Sequence, residues 1–181
     1  VGKDLPAIDH LFSRVGGEVT AKPEVLADMI ETMRPRSAIV FCNTKSETEL
    51  VEVYLRRRGF DARRINSDLN QRQRTRVMDG IRSGQLSYLI ATDIAARGID
   101  IESIELVVNF SIHDETEIYL HRTGRTGRAG REGVAILFVT PRERRMLSLI
   151  EKHTGKKIER IGLPSIDTIN RNRINVHVRI V

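Results

Sequence analysis

The chain has 181 residues, enough for one domain with a substantial core and too few for two. Hydrophobic residues make up 40%, a single cysteine rules out an internal disulfide, and no apolar run approaches the length of a membrane span. Net charge is +6 with a pI near 9.9, which favours a polyanionic partner and sets aside acidic and membrane-spanning classes. The five histidines show no metal-ligand spacing, so no metal site is expected. Aromatics are only 4% and Trp is absent, so phosphate contacts outweigh base stacking in any nucleic-acid contact. A cytoplasmic setting without membrane association is the expectation.

In chain order, residues 1–21 read as a connecting arm, extended at Lys3-Asp4-Leu5-Pro6 and turning at Gly16-Gly17. Pro23 suits the first turn of a helix running to about Met33, with Val25, Leu26, Met29, Ile30 and Met33 on its apolar face and Pro35 ending it. Ala38 to Cys42 is a short apolar run, as expected of a strand buried on both faces. Ser46-x-x-Glu49 has the spacing of a capping box before a helix that carries Leu50, Val51, Tyr54 and Leu55 and stops at Gly59. Asp61 to Ile65 is a weaker strand. Asn70 can cap a helix with Val77, Met78 and Ile81 inward, ending near Gly84.

Tyr88–Ala91 and Leu106–Phe110 are further strands, and a helix from about Glu115 to Gly124 follows. Gly133 to Val139 is another strand, and Arg142 to His153 another helix, with Met146, Leu149 and Ile150 on one face. Residues 156–181 change texture. They are basic, and Ile174, Val176, Val178 and Ile180 alternate with polar residues at strand period. Strands alternating with helices through short loops argue a parallel sheet covered on both sides, an α/β fold that binds its ligands beyond the carboxyl ends of the strands.

The loops at those ends carry the chemistry. Asn43 and Thr44 follow the first apolar strand, where a hydroxyl and the amides of a helix start can hold a phosphate. Cys42, inside that strand, reads as an inert core residue. Gln71 and Arg74 form a Gln-x-x-Arg pair in a polar first helical turn. Ala91 to Asp100 reads Ala-Thr-Asp-Ile-Ala-Ala-Arg-Gly-Ile-Asp. Thr92 at the strand end can donate to a phosphate, Gly98 permits a tight turn, and Asp100 can accept from a ribose hydroxyl. Asp93 and Arg97 either meet a ligand or pair with neighbours to hold the loop. Tyr119 to Gly133 places Arg122, Arg125, Arg128 and Arg131 at a spacing of three, interleaved with Gly124, Gly127, Gly130 and Gly133. Guanidinium groups on a glycine-punctuated turn suit a multiply charged anion, above all a phosphate chain.

The stretch His121-Arg122-Thr123-Gly124-Arg125-Thr126-Gly127-Arg128 resembles the sixth motif of the DEAD-box RNA helicases, His-Arg-x-Gly-Arg-x-x-Arg, and His121 points to their RNA-directed branch. Ala91 to Asp100 is similar to the fifth motif, and Ile39 to Lys45 resembles the fourth. Ser67 to Arg74 resembles the motif after that, with Ser67 where the family generally has Gly. The resemblance covers about Lys22 to His153. It implies a RecA-like parallel sheet with helices on both faces over residues 22–155, with a C-terminal extension over 156–181.

The resemblance also implies roles. Arg125 and Arg128 fall on the γ-phosphate of ATP as catalytic arginine fingers, and Gly98 and Asp100 complete the ATP contact. His121 and Arg122 face the other helicase half. Asn43, Thr44, Gln71, Arg74 and Thr92 meet RNA. No Gly-x-x-x-x-Gly-Lys-Ser/Thr loop and no Asp-Glu-Ala-Asp occur in the chain, so Mg²⁺ and the attacking water would be held by an N-terminal RecA-like domain of the same protein. The chain alone is then expected to be inactive, and Val1 in place of an initiator Met suggests an excised piece. The implied function is the C-terminal half of an ATP-dependent RNA helicase that unwinds duplexes. The alternative is a non-catalytic RNA-binding or adaptor module on the same fold. The tail is a candidate dimer contact.

Overall fold

The computed structural model describes residues 8–99, 101, 104–127 and 132–162. Among these the strands are β1 (Ile8–Arg14), β2 (Ala38–Cys42), β3 (Ala62–Ile65), β4 (Tyr88–Thr92), β5 (Leu106–Asn109), β6 (Gly133–Val139) and β7 (Glu159–Ile161). The helices are α1 (Ala21–Met33), α2 (Lys45–Arg57), α3 (Gln71–Ser83), α4 (Thr116–Thr123) and α5 (Arg144–Thr154). The strands make one sheet in the order β3-β4-β2-β5-β6-β1-β7, parallel at every pairing. Every carboxyl end therefore lies along the same rim.

Residue alternation sorts the core into layers. In β2, Ala38, Val40 and Cys42 face one side with Leu26, Met29 and Ile30 of α1 and Val51 and Leu55 of α2. Ile39 and Phe41 face the other side, with Leu89, Val107 and Met78 of α3. Farther along that second face, Tyr119 of α4 and Leu147 and Ile150 of α5 cover Leu137 and Val139 of β6. All five β2 side chains are buried, and each large one contributes about 1.5–3 kcal/mol by leaving water.

The helix punctuation has local causes. Arg34 closes α1 in the left-handed region at φ 42°, its N–H donating to Ile30 O at 2.8 Å, and Pro35 follows. Asn70 caps α3 as expected: its Oδ1 accepts from Gln73 N at 2.8 Å, and Gln73 returns an acceptor to Asn70 N at 2.9 Å. Gly84 ends α3 at φ 79°.

Three expectations are corrected. The capping box of α2 is Thr44 with Glu47, not Ser46 with Glu49. Both spacings fit the rule, but β2 ends at Cys42 and leaves Asn43 alone to turn the chain. A 3₁₀ turn at Pro141–Glu143, closed by Thr140 and Glu143, pushes the start of the last helix from Arg142 to Arg144. Residues 8–14 are no connecting arm: they form β1, seated between β6 and β7, with Ile8 opposite Gly133 and Arg14 opposite Val139. Residues 159–161 likewise belong to the sheet. The strand expected over 174–180 lies outside the described residues.

Candidate functional site

The site is the rim formed by the carboxyl ends of β3, β4, β2 and β5, four strands that adjoin in that order. Register places Ile65 beside Ala91, Cys42 beside Thr92, and Phe41 beside Asn109. The residues that follow these strands thus come together from four separate stretches of sequence. Asn43 and Thr44 follow β2, Thr92 closes β4, and Gln71 and Arg74 open α3 a few residues beyond β3.

Thr92 is half-buried, and its Oγ1 accepts from Ala95 N at 3.4 Å. Among the described residues its own proton has no acceptor, which leaves it to donate outward. Thr44 is exposed but also serves as the α2 cap, accepting from Glu47 N at 3.2 Å. The α2 N-terminus behind it carries unpaired amides and the positive end of the helix dipole, the ordinary setting for a phosphate. Gln71 is exposed, and Arg74 donates to Arg97 O at 2.9 Å, tying the start of α3 to the loop after β4. Lys45 and Asp68 pair at 3.0 Å across the loops after β2 and β3. Gly98 takes φ 74°, the left-handed turn a side chain would resist.

Arg122 is the centre of the rim. Its Nε donates to Asp93 Oδ1 at 2.7 Å and its Nη2 to Asp93 Oδ2 at 2.6 Å, a forked ion pair. Nη1 donates to Ser111 O at 2.6 Å, and Nη2 also reaches Asn43 Oδ1 at 2.8 Å. One guanidinium thus fastens the ends of β2, β4 and β5 to α4. Its relative exposure is 2%, so the expected contact with a second helicase half is corrected for Arg122: no surface of it is left to present. The neighbouring His121 is exposed on α4. For Asp93, the two open readings close on the structural one.

The same network claims Asn43. Its backbone N–H donates to Ser111 Oγ at 2.8 Å and its Nδ2 to Ile112 O at 2.7 Å. Its side chain thereby ties the end of β2 to the segment after β5 and to α4, while the residue stays exposed beside Thr44. Arg125 is half-buried and donates to Ile99 O at 2.7 Å and Ala96 O at 3.3 Å, lying along the loop after β4. Thr126, fully buried, anchors the next turn by donating to Ile104 O and by lying 3.3 Å from Glu105 O. Gly133 packs against it so closely that a Cβ there would meet Thr126 Oγ1 and lie 2.6 Å from Gly127 N. Asp100 and Arg128 lie outside the described residues.

A model of the helicase conserved C-terminal domain matches residues 21–130. The chain belongs to that family. Its similarity runs to the DEAD-box branch. It is 43% identical over 172 residues to the ATP-dependent RNA helicase DeaD of Mycobacterium tuberculosis, covering 95% of this chain and 31% of that protein. The S. cerevisiae Dbp5 structure bound to RNA and ADP BeF3 superposes with a TM-score of 0.87 at 32% identity, over 95% of this chain and 46% of that one. A structure of the C-terminal domain of the DEAD-box protein Dbp5 superposes at 0.82, again 32% identical, covering 96% of this chain and 98% of that one. The chain spans about a third of the length of the curated relatives it matches.

In this DEAD-box C-terminal domain, Ser111 and Thr126 are the site residues that the sequence reading passed over. Ser111 accepts from Asn43 N and lies 3.2 Å from Glu47 Oε1, which links the end of β5 to the α2 cap. The signal for it was a small polar residue directly after an apolar strand. Cys42 is fully buried, and burial, with the Glu47 carboxylate adding to it, pushes its thiol well above the ordinary range. Among the described residues no group of three or more His, Cys, Asp or Glu gathers to hold a metal ion, and no helix is long and apolar enough to cross a membrane.

Proposed function

We propose that this domain is the C-terminal half of an ATP-dependent RNA helicase and that its rim carries one side of a site shared with an N-terminal RecA-like domain. The observation that supports this best is the order of chemistries along the rim. The loops after β3, β4 and β2 present Gln71, Arg74, Thr92 and Thr44 as a row of phosphate-binding groups. The arginine turn after α4 is bolted beside that row through Arg122 and Thr126. RNA backbone lies along the row, and the γ-phosphate of ATP meets the turn.

Arg125 and Arg128 act as the arginine fingers in this reading. Arg125 exchanges its carbonyl acceptors, Ile99 O and Ala96 O, for phosphate oxygens. Those carbonyls belong to the loop that begins at Thr92, so movement of the finger and grip on RNA share a backbone. Gly98 and Asp100 hold the ATP sugar, and His121 faces the other half. Asn43, exposed beside Thr44, joins the RNA row at the end of β2. Mg²⁺, when bound on the other half, neutralises phosphate charge and aligns the leaving oxygens. Two acids of the rim are paired within this half: Asp93 with Arg122 and Asp68 with Lys45. The contacts fall on sugar and phosphate, which gives RNA affinity with little sequence preference and a strong salt dependence. The isolated domain has no ATP turnover. A tail-mediated dimer would be read from sedimentation with and without residues 164–181.

The test is RNA-stimulated ATP hydrolysis by the whole protein carrying Arg125→Ala. Turnover should fall by roughly 10³ to 10⁵ while RNA affinity holds. Unchanged turnover would leave the adaptor reading in place of the helicase.

A further inference from the structure

The helix α3 carries four arginines, Arg72, Arg74, Arg76 and Arg82, against one acid, Asp79. They do not share a face. Val77, Met78 and Ile81 turn toward the core, and Arg74 turns with them to reach Arg97 O. On the opposite side a shallow open groove of about 660 Å³ runs along Gln71, Arg72, Thr75 and Arg76, with Gln85 closing it from the loop after the helix. Helical spacing explains the alignment: positions i, i+1, i+4 and i+5 share a face at 3.6 residues per turn. Asp79, at the far end of this groove, has Arg82 Nη1 at 3.8 Å to offset it.

Arg72 and Arg76 are exposed and have no hydrogen-bond or ion-pair partner among the described residues. Their backbone positions are about 6 Å apart along the helix axis. They are interleaved with an amide and a hydroxyl, at the positive end of a helix dipole. That is the composition of a phosphodiester track. No hydrophobic side chain lines it to seat a protein anchor, and no aromatic ring offers a platform for a base. The groove is also continuous with the rim, because Gln71 belongs to both.

We propose that the outer face of α3 is a second RNA-backbone site. It takes the sugar–phosphate strand as it leaves the rim and lengthens the footprint on this half through Arg72 and Arg76. The proposal rests on the RNA reading of the rim given above. It assigns RNA contact to a face that the motif residues leave unused, and it makes α3 a two-sided element: Arg74 holds the loop after β4, and its neighbours hold the strand.

The experiment is binding of a labelled oligouridylate to the whole protein across a salt series, for the wild type, R72Q/R76Q and Thr92→Val. Both arginines are exposed and Gln suits a helix, so the thermal midpoint of the double variant should match the wild type. Loss of two phosphate contacts should flatten the slope of log affinity against log salt by about 1.4. The wild-type advantage at about 50 mM salt should then be about sevenfold greater than at about 200 mM. An unchanged slope in R72Q/R76Q, with Thr92→Val still weakening binding, overturns the α3 site and leaves the rim reading intact. Failure of Thr92→Val to weaken binding, with no RNA affinity in the wild type, overturns the rim reading itself. Binding of polyglutamate that R72Q/R76Q abolishes, with the RNA slope unmoved, assigns the groove to an acidic protein and overturns the proposal.

Discussion

Replacing Arg122 by Ala should unfold this domain at a much lower temperature, because it strands more than it removes. At 2% exposure the side chain neutralises Asp93 through two bonds of 2.7 and 2.6 Å and satisfies Ser111 O and Asn43 Oδ1. Asp93 itself is only 24% exposed, so water restores little of what is lost. Removing one partner of such a pair costs about 3–5 kcal/mol. At about 2–4 °C per kcal/mol for a domain of this size, the midpoint should drop by about 6–20 °C. Arg122→Lys should fall between, since one ammonium cannot reproduce the fork. The assay is thermal unfolding followed by circular dichroism for R122A, D93A and the double variant. The double variant should cost less than the two single costs added, because the second truncation no longer abandons a charge. A midpoint for R122A within about 2 °C of the wild type, or strict additivity in the cycle, would refute the account of Arg122 as the clamp of the rim.

Three further outcomes are expected. Gly133→Ala should destabilise by about 1–3 kcal/mol, since its Cβ meets the Thr126 hydroxyl and the Gly127 backbone; an unshifted unfolding midpoint would show that the turn relaxes freely. Asn70→Ala should cost about 1 kcal/mol by leaving Gln73 N without its cap, and denaturant unfolding that shows no loss would sink that assignment. His10, hydrogen-bonded to Tyr119 Oη at 2.6 Å, is held below its ordinary pKa of 6.5, first by burial, then by Lys156, with Asp9 opposing. The unfolded chain therefore takes up this proton before the folded one does. Stability is level above about pH 6.5 and declines as pH falls below it. His10→Gln should lose that decline, so its deficit relative to the wild type should narrow between about pH 7.5 and pH 5.5; a constant deficit would contradict the sign.

What could be read from the letters follows the range of the interactions concerned. Ala38 to Cys42 announces a strand because five consecutive apolar residues need burial on both faces, and Asn70 announces a helix start because its partner, Gln73, is three residues away. Ser46 and Thr44 offered equivalent cap spacings, and only the end point of β2 decides between them. β1 escaped notice because Ile8, Leu11 and Phe12 follow no period-two rhythm, and the strand is buried only in part. The motif residues were legible as letters, but their division of labour was not. As a letter Arg122 looks like the other arginines of its basic run, yet Asp93, which pairs with it, sits 29 residues upstream. Asn43 reads as a polar residue after a strand, and its ties to Ser111, Ile112 and Arg122 reach 68 to 79 residues along the chain, beyond what local pattern shows.

The place of β1 in the sheet bears on the order in which the polypeptide is made. Among the described strands β1 is made before the others, yet the strands on either side of it, β6 and β7, are made after them. For most of its elongation the nascent chain carries β1 without either neighbour, with two open edges that invite pairing elsewhere. The contact that joins it spans nearly the whole domain, and such closures are slow. A ribosome that stalls before Gly133 thus releases a half-sheet ending at β5, a natural target for quality-control proteases. β1 thus waits for β6, and once seated it becomes the edge on which β7 closes the sheet.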